Sequence, residues 1–221
     1  RVSRGLGDVY KRQIHEGLVQ SWKDMFGKGS ILHLAGELDN AEDVGNLQYL
    51  ASTAREAGLS TRVIDINALN LQNGIFYDPS GEKVERCFKL YPWEWMVDES
   101  SDGCMADVQW IEPIWKLVMS NKAILTTLYE LFPDSPYVLP AFLSRPQNGV
   151  YCKKPVYSRE GHNVSILDIR NWEERELISE TEGDYNQGAY IYQRYVKPIV
   201  YDGYYPIIGS WVIGGCLLYT S

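Results

Sequence analysis

The chain has 221 residues, of which 45% are hydrophobic and 23% charged, enough for one sizeable core or for two lobes that share a cleft. Its formal net charge of -8 argues against a general nucleic-acid-binding protein, which would normally carry a basic face. No apolar run approaches the ~20 residues of a membrane helix, and the first residues lack the apolar core of a signal peptide, so the predicted compartment is the cytoplasm.

The two ends of the chain do not continue the patterns of their neighbours. Residues 1–13 and 216–221 resemble translated linker sequence. We therefore expect residues 14–215 to be an internal segment of a longer protein.

A strand, a helix and a second strand open the main part of the chain. Residues 31–35 form a short apolar strand, Asn40 is a plausible helix N-cap, and residues 61–66 form the next strand. This order predicts a βαβ unit with a parallel pair of strands. Glu42 and Asp43 fall in the first turn of the helix, where the helix dipole stabilises carboxylates, so a capping role is the simplest interpretation.

An aromatic segment follows a predicted hairpin. Residues 75–77 and 84–88 flank a turn at residues 78–81, which favours a β-hairpin. Residues 89–96 are rich in tryptophan and tyrosine, which usually pack in a core and less often form a substrate wall. Residues 98–107 are polar and are predicted to form a loop.

A helix is predicted after a break in the chain at residues 112–113. Ser120 and Asn121 are potential caps, and Pro133 ends the apolar face of the helix. Lys122 falls in the predicted first turn, where its charge opposes the helix dipole by ~0.3 to 1 kcal/mol unless an anion lies nearby. Lys122 is therefore a candidate ligand-binding lysine, although a solvated lysine can tolerate this mismatch.

Residues 150–165 combine a lysine-containing strand with a polar turn. Lys154 lies in the strand, Arg159 and Gly161 lie in the turn, and a second strand follows at residues 164–169. A strand lysine supplies a point charge for phosphate oxygens, and a glycine lets backbone N–H groups close over them. The pattern fits a nucleoside triphosphate, but a hairpin after Lys-Pro also occurs in proteins that bind nothing.

The remainder is predicted to be mostly antiparallel sheet. Residues 175–179 and 189–196 read as strands, and a tight turn at Asp202-Gly203 leads to a return strand over residues 205–213. We divide the chain into a partial α/β substrate-side lobe, residues 14–107, and a nucleotide-binding region, residues 108–215. The predicted class is α/β (α+β).

Several stretches in a fixed order resemble the synthetase domain of the glutathionylspermidine synthase family, a branch of the ATP-grasp ligases. The stretches are EPIWKLVMSNKAIL (112–125), LFPDSPYVLPA (131–141), KKPVYSREGHNVSI (153–166), YIYQRYV (190–196) and GSWVIGG (209–215). The resemblance implies an ATP-grasp fold and an ATP-dependent ligase that joins a carboxylate to an amine through an acyl phosphate, with ATP and Mg²⁺ required.

The resemblance also implies roles for individual residues. The residues implied to contact ATP are Lys122, Lys154, Gly161, Gln193, Arg194, Tyr195 and Val196. In this scheme the segment from Gln193 to Val196 lines the adenine, and Arg159 stabilises the charge on the transferring phosphoryl group. Glu42, Asp43, Glu94 and Trp95 are implied to bind the substrates, a glutathione-like acid and a polyamine.

Two alternatives remain open. Trp95 stands where the polyamine ligases of the family carry a small hydroxyl residue, which favours a related acid–amine ligase with a different substrate pair. A non-catalytic nucleotide-binding module is the alternative from another class of protein. Neither alternative calls for nucleic acid or a membrane.

No metal site is predicted within the chain. The four cysteines are widely spaced and form no CxxC pair, which predicts reduced thiols without zinc. The resemblance implies that the Mg²⁺ carboxylates lie upstream of residue 14 and a later arginine-containing strand lies downstream of residue 215. We therefore expect synthetase chemistry without an amidase portion, and a fragment that is inactive by itself.

Overall fold

The computed structural model describes residues 4–99, 101–104, 106–171, 173–185, 188–207 and 209–219. It forms two compact units. The second unit is Trp115–Tyr205, and the first combines the chain up to Ile114 with the chain from Pro206 onward. The first unit therefore takes in residues 108–114 and 206–215, which the sequence analysis had assigned to the nucleotide-binding region.

The first unit is built on a parallel sheet. Its helices are α1 (Arg4–Met25), α2 (Ala41–Glu56), α3 (Trp93–Glu99) and α4 (Ser101–Cys104). Its strands are β1 (Ile31–Gly36), β2 (Ser60–Asp65), β3 (Asn70–Gln72), β4 (Ile75–Tyr77), β5 (Arg86–Leu90), β6 (Gln109–Ile111), β12 (Ser210–Ile213) and β13 (Cys216–Tyr219). The main sheet has the order β2-β1-β5-β6, and all its strands are parallel.

The predicted βαβ unit is confirmed by β1, α2 and β2. The side-chain oxygen of Asn40 accepts hydrogen bonds from the N–H groups of Glu42 and Asp43, which satisfies two donors at the start of α2. The core of the unit lies between this helix, α1 and one face of β1. Its fully buried members include Leu32, Leu34, Leu47, Ala51 and Ala54.

Two predictions for the next segment are wrong. The strand at residues 75–77 pairs with β3, whereas β5 joins the parallel sheet beside β1. Of the expected hairpin, the turn at residues 78–81 is present, and its arms are joined by a bridge between Tyr77 and Lys83 and by a hydrogen bond from the N–H of Val84 to the carbonyl of Phe76 at 2.8 Å. The apolar Cys87 of β5 is fully buried within the sheet, which explains the different pairing. The predicted loop at residues 98–107 contains the end of α3 and the short helix α4.

The second unit is built on an antiparallel sheet. Its elements are α5 (Leu117–Ser120), α6 (Ile124–Leu131), β7 (Ala141–Phe142), β8 (Gly149–Pro155), β9 (Ser165–Ile169), β10 (Arg175–Glu180) and β11 (Tyr190–Arg194). The strand order is β10-β9-β8-β11-β7, and every pair is antiparallel, as predicted. The parallel and antiparallel sheets together confirm the predicted α/β (α+β) class.

The predicted return strand after the Asp202-Gly203 turn is wrong. In the described part of this segment, the turn closes a bridge between Tyr201 and Tyr204. The later strand β12 pairs with β13 within the first unit. Turn residues therefore identified the reversal of the chain but not the partner of the strand that follows it.

Cys87, Cys104 and Cys152 are free thiols, as predicted, and the side chain of Cys216 lies outside the described residues. Within the described ranges, each helix is too short or too polar to cross a bilayer.

Candidate active site

Two neighbouring strands of the antiparallel sheet bring a lysine and a glutamine together. The ammonium of Lys154 in β8 donates a hydrogen bond to Oε1 of Gln193 in β11 at 2.6 Å. Burial lowers the pKa of Lys154 from its ordinary value, because the charged form loses hydration. Among the described residues, no carboxylate pairs with this ammonium. A half-buried cation held by a neutral amide suits an anionic ligand.

The adjacent lysine has different surroundings, because successive side chains of a strand point to opposite faces of the sheet. The ammonium of Lys153 lies 4.0 Å from the ring centre of Tyr190. Its face of β8 also carries Tyr151, which packs in the core cluster of the unit. Lys154 therefore lies on the face of β8 away from this core.

Lys122 is bound to the start of the glycine loop, which we define as residues 158–163. Its ammonium donates to the carbonyl oxygen of Ser158 at 2.5 Å and contacts the Ser158 hydroxyl at 3.0 Å. Its backbone N–H donates to the carbonyl of Val156 at 2.8 Å, just after β8 ends. Lys122 is thus attached to the segment that directly follows β8, the strand that contains Lys154.

The predicted place of Lys122 in a helix is wrong. Helix α6 begins at Ile124, so Lys122 precedes its first turn. The reason is local, because the side-chain oxygen of Asn121 accepts the N–H of Ala123 at 2.8 Å and closes a turn before the helix. Lys122 therefore does not oppose the helix dipole, and the dipole gives no reason to expect a ligand at this lysine. What the structure shows instead is the contact of Lys122 with Ser158.

The glycine loop is tightly turned. Glu160, Gly161 and Asn163 have φ angles of 52°, 74° and 55°, in the left-handed region. The N–H of His162 donates to the carbonyl of Arg159 at 2.9 Å. Glycine and asparagine adopt this conformation readily, and such turns aim backbone N–H groups at anions. The side chain of Arg159 is exposed, and its assigned role stays a prediction.

The segment after Gln193 has two of its amides occupied. The N–H of Arg194 donates to the carbonyl of Pro140 at 2.8 Å, and the N–H of Tyr195 donates to the carbonyl of Val150 at 2.9 Å. Within the described part of the chain, the N–H of Val196 has no acceptor. Val196 is therefore the residue of this segment whose amide is available to a ligand.

The predicted substrate residues of the first unit lie at one edge of the parallel sheet. Strands β1 and β5 pair so that Gly36 lies opposite Leu90 at their carboxyl ends. Helix α2, with Glu42 and Asp43, follows β1, and α3, with Glu94 and Trp95, follows β5. From β1 the chain continues to β2, and from β5 to β6, and these two strands flank the central pair on opposite sides in the strand order. Ligands of open α/β sheets bind at such a switch point. The structure thus brings the two predicted pairs to one edge.

Gly36 allows α2 to lie close to this edge. A Cβ atom at this position would approach Leu47 of α2 to 3.0 Å and the carbonyl oxygen of Leu90 to 3.3 Å. A larger residue would therefore push the helix away from the strand ends.

An aromatic pair lines the same edge. The rings of Tyr91 and Trp95 are 5.5 Å apart and nearly perpendicular, and Trp95 is 37% exposed. The Tyr91 hydroxyl donates to the carboxylate of Glu99 at 2.5 Å. Burial, that hydrogen bond and the nearby charges of Glu99 and Glu37 raise the pKa of Tyr91, so it stays neutral at physiological pH. The sequence analysis included Tyr91 in the aromatic segment but gave it no role, and it missed Glu37, which belongs to none of the quoted motifs.

The carboxylates of Glu42 and Asp43 differ in exposure. Glu42 is exposed and Asp43 is half-buried, and neither forms an ion pair with any described residue. Their backbone N–H groups hold the Asn40 cap, so both side chains project from a fixed turn. Such a turn can attract a cation, although water and salt screen the attraction.

The residues that the structure describes contain no complete Mg²⁺ site. No group of three or more His, Cys, Asp or Glu side chains is placed to hold a metal ion in that part of the chain. The lysine, amide and glycine-loop groups fit a phosphate ligand better than a cation.

A parallel α/β unit together with an antiparallel sheet that carries a strand lysine beside a glycine loop defines a protein related to the ATP-grasp ligases. More narrowly, the chain belongs to the glutathionylspermidine synthase family. The family profile described as "Glutathionylspermidine synthase preATP-grasp" matches residues 8–218. This match extends into both ends that the sequence analysis had set aside.

The chain is similar to several curated proteins. A Haemophilus influenzae protein named "Putative acid--amine ligase" is 36% identical over 91% of this chain and 54% of its own length. A trypanothione synthetase of Crithidia fasciculata is 28% identical over 96% of this chain and 35% of its own length. A bifunctional glutathionylspermidine synthetase/amidase of Escherichia coli is 26% identical over 90% of this chain and 37% of its own length. The chain thus spans about half or less of these relatives.

Proposed function

We propose that the protein is an ATP-dependent acid–amine ligase of the glutathionylspermidine synthase type, acting in the cytoplasm. The observation that carries this proposal is the half-buried ammonium of Lys154, which lies in a strand next to the glycine loop and, among the described residues, pairs with a neutral amide and no carboxylate. Family membership and the ligase names of the relatives support the same class of reaction.

Such a ligase uses ATP to activate a carboxylate. The γ-phosphoryl group moves to a carboxylate oxygen and ADP leaves. The amine nitrogen then attacks the carbonyl carbon, a C–N bond forms, phosphate leaves with the C–O electron pair, and the amine loses a proton. Phosphoryl transfer depends on positioned cations. Lys122 and Lys154 would bind the phosphates, Gly161 would lie over them, and Arg159 would stabilise the transferring charge.

The nucleotide base would lie against the end of β11. The free N–H of Val196 supports this placement, because one backbone donor is what an adenine edge needs. The amide of Gln193 lies beside Lys154 and would orient the ligand between base and phosphates. Arg194 and Tyr195 would contribute side-chain contacts, since their N–H groups are already used.

The amine would bind at the carboxyl edge of the parallel sheet. Glu42 and Asp43 provide two carboxylates without ion-pair partners among the described residues, and a polyamine is their natural counter-charge. Glu94 and Trp95 lie across the same edge and would contact the second substrate. A glutathione-like acid with a polyamine is the substrate pair of this proposal.

A ligase with a different acid is the second candidate. The large, partly exposed ring of Trp95 packs on Tyr91 and occupies part of the edge where an acceptor would lie. A bulky indole at this place favours an acid of different shape from glutathione.

Nucleotide binding by the 221-residue chain tests the proposed role of Lys154. We expect Lys154→Met to weaken binding of a non-hydrolysable ATP analogue with Mg²⁺ by about tenfold or more, the value of one charge-assisted hydrogen bond. Lys153→Met is the matched control, because that side chain stacks on Tyr190 and should leave affinity unchanged. Equal affinities for the two variants would contradict the role of Lys154.

ADP release by the full-length gene product tests the reaction. Release that requires both glutathione and spermidine would establish the first substrate pair. Release with another acid–amine pair would establish the second candidate, and binding without release for any pair would favour a non-catalytic nucleotide-binding module.

A further inference from the structure

The end of the glycine loop is attached to the segment that follows β10. Asn163 uses both ends of its side-chain amide: Oδ1 accepts the N–H of Tyr185 at 2.7 Å, and Nδ2 donates to the carbonyl of Gly183 at 2.9 Å. Its backbone has a φ of 55°, which asparagine tolerates better than most residues. One residue therefore both turns the loop and ties it to residues 181–185.

A threonine hydroxyl makes the second attachment. The Thr181 hydroxyl donates to the carbonyl of Gly161 at 2.5 Å and accepts the N–H of Val164 at 2.9 Å. The hydroxyl thus reaches the glycine at the centre of the loop as well as its end. An exposed glycine with a φ of 74° would otherwise have large conformational freedom.

The third feature is close packing at Gly183. A Cβ atom there would lie 2.5 Å from Cβ of His162 and 2.8 Å from Oδ1 of Asn163. Atoms do not approach this closely, so a glycine is required by packing against the glycine loop. Any side chain at this position would push the two segments apart.

We propose that Thr181, Asn163 and Gly183 form a clamp of positioning residues that presets the glycine loop for the nucleotide phosphates. The inference rests on the proposed function and adds Thr181 and Gly183, which neither the sequence motifs nor the family resemblance had indicated. The core cluster of the unit, which contains Tyr151, Leu167 and Ile169, lacks these residues, so opening the clamp leaves the core intact. A preset loop loses less conformational freedom when it binds a ligand, which raises affinity.

The clamp is tested by paired variants in the 221-residue chain. Thr181→Val removes the hydroxyl, Thr181→Ser restores it, and Gly183→Ala introduces the clash. Thr127→Val, at an exposed position of α6, is the matched control. The readouts are amide hydrogen exchange of peptides that cover residues 158–163, affinity for the non-hydrolysable ATP analogue with Mg²⁺, and the melting temperature.

We expect Thr181→Val and Gly183→Ala to accelerate exchange in the loop and to weaken nucleotide binding by about fivefold, the value of one neutral hydrogen bond. Melting should stay close to wild type, and Thr181→Ser and Thr127→Val should behave as wild type. Unchanged loop exchange and affinity in Thr181→Val and Gly183→Ala, with normal binding by the wild type, would overturn the clamp alone. Absence of nucleotide binding by the wild type would overturn the proposed function and the clamp's role with it.

Discussion

The ammonium of Lys89 lies 3.8 Å from the ring centre of Trp93 and donates to the carbonyl of Tyr91 at 2.6 Å. Lys89 is only 7% exposed. Burial lowers its pKa from 10.5 to about 8, although the nearby carboxylates of Glu112 and Glu94 oppose the shift. The packing of this turn, which leads into α3, is therefore linked to the protonation of one buried amine.

The lowered pKa predicts a specific dependence of stability on pH. Between about pH 8 and 10.5 the unfolded chain binds more protons at Lys89 than the folded chain, so the free energy of unfolding should gain a favourable contribution as pH rises. In urea unfolding, the free energy of unfolding of the wild type should therefore increase over this interval relative to that of Lys89→Met. The exposed Lys23→Met is the control and should keep the gain. If the free energies of unfolding of wild type and Lys89→Met differ by the same amount at all these pH values, Lys89 does not titrate near pH 8 in the folded protein.

A second prediction concerns a buried carboxylate on the other face of the parallel sheet from α2. Asp78 is 5% exposed. Its carboxylate accepts hydrogen bonds from the backbone N–H groups of Ser80 and Glu82, and from the side chains of Ser80, Arg62 and His33. Burial alone would raise the pKa of Asp78, but these donors together hold it well below its ordinary value. A depressed carboxyl pKa contributes stability above the ordinary value near 3.8 and loses it as pH falls further.

Asp78→Asn should therefore destabilise the protein by about 3 kcal/mol at pH 7, because it leaves buried donors without their charged acceptor. The wild type should lose stability below about pH 4 more steeply than the variant. Chemical unfolding measured from pH 7 to 2 gives both results. Asp107→Asn, which removes an exposed partner of Lys83, should change stability little. Parallel pH curves for wild type and Asp78→Asn would show that Asp78 is not ionised in the folded protein.

The N-cap of α2 gives a third prediction. Asn40→Ala should lower stability by about 1 kcal/mol, because two N–H groups lose their acceptor. Asn40→Ser keeps a capping oxygen and should restore most of the loss. If the proposed amine site is correct, Asn40→Ala should also weaken amine binding, since the cap fixes the turn that carries Glu42 and Asp43. Thermal unfolding and calorimetric titration with spermidine measure the two effects, and equal stability of all three proteins would contradict the cap.

The amide of Val196, which has no acceptor among the residues that the structure describes, gives a fourth prediction. Val196→Pro removes the N–H group and should weaken binding of the ATP analogue by about fivefold if that group bonds to adenine. Val196→Ala keeps the N–H group and is the control. Because the side chain is 58% exposed, neither change should alter the core. Affinities that match between the two variants would place the base elsewhere.

Local patterns in the sequence determined a large part of this fold. The short apolar run of β1, the capping oxygen of Asn40 and the helical spacing of α2 act over a few residues, so the βαβ unit was predictable. The antiparallel character of the second unit followed in the same way from its short strands and turns. Ordered motifs also indicated the family, and the position of Lys154 in a strand was confirmed.

Only the tertiary structure decided which strands pair and which distant side chains meet. Strand β5 pairs with β1 inside the sheet, where Cys87 is fully buried, and not across the turn that precedes it. Strand β12 pairs with β13 through the turn at Gly214 and Gly215, and not with the strand before the Asp202-Gly203 turn. The contacts of Lys122 with Ser158 and of Lys154 with Gln193 join residues far apart in the chain. The physical reason is that a sequence pattern reports which face of an element is apolar, whereas the partner of that face depends on packing between elements that no local pattern encodes.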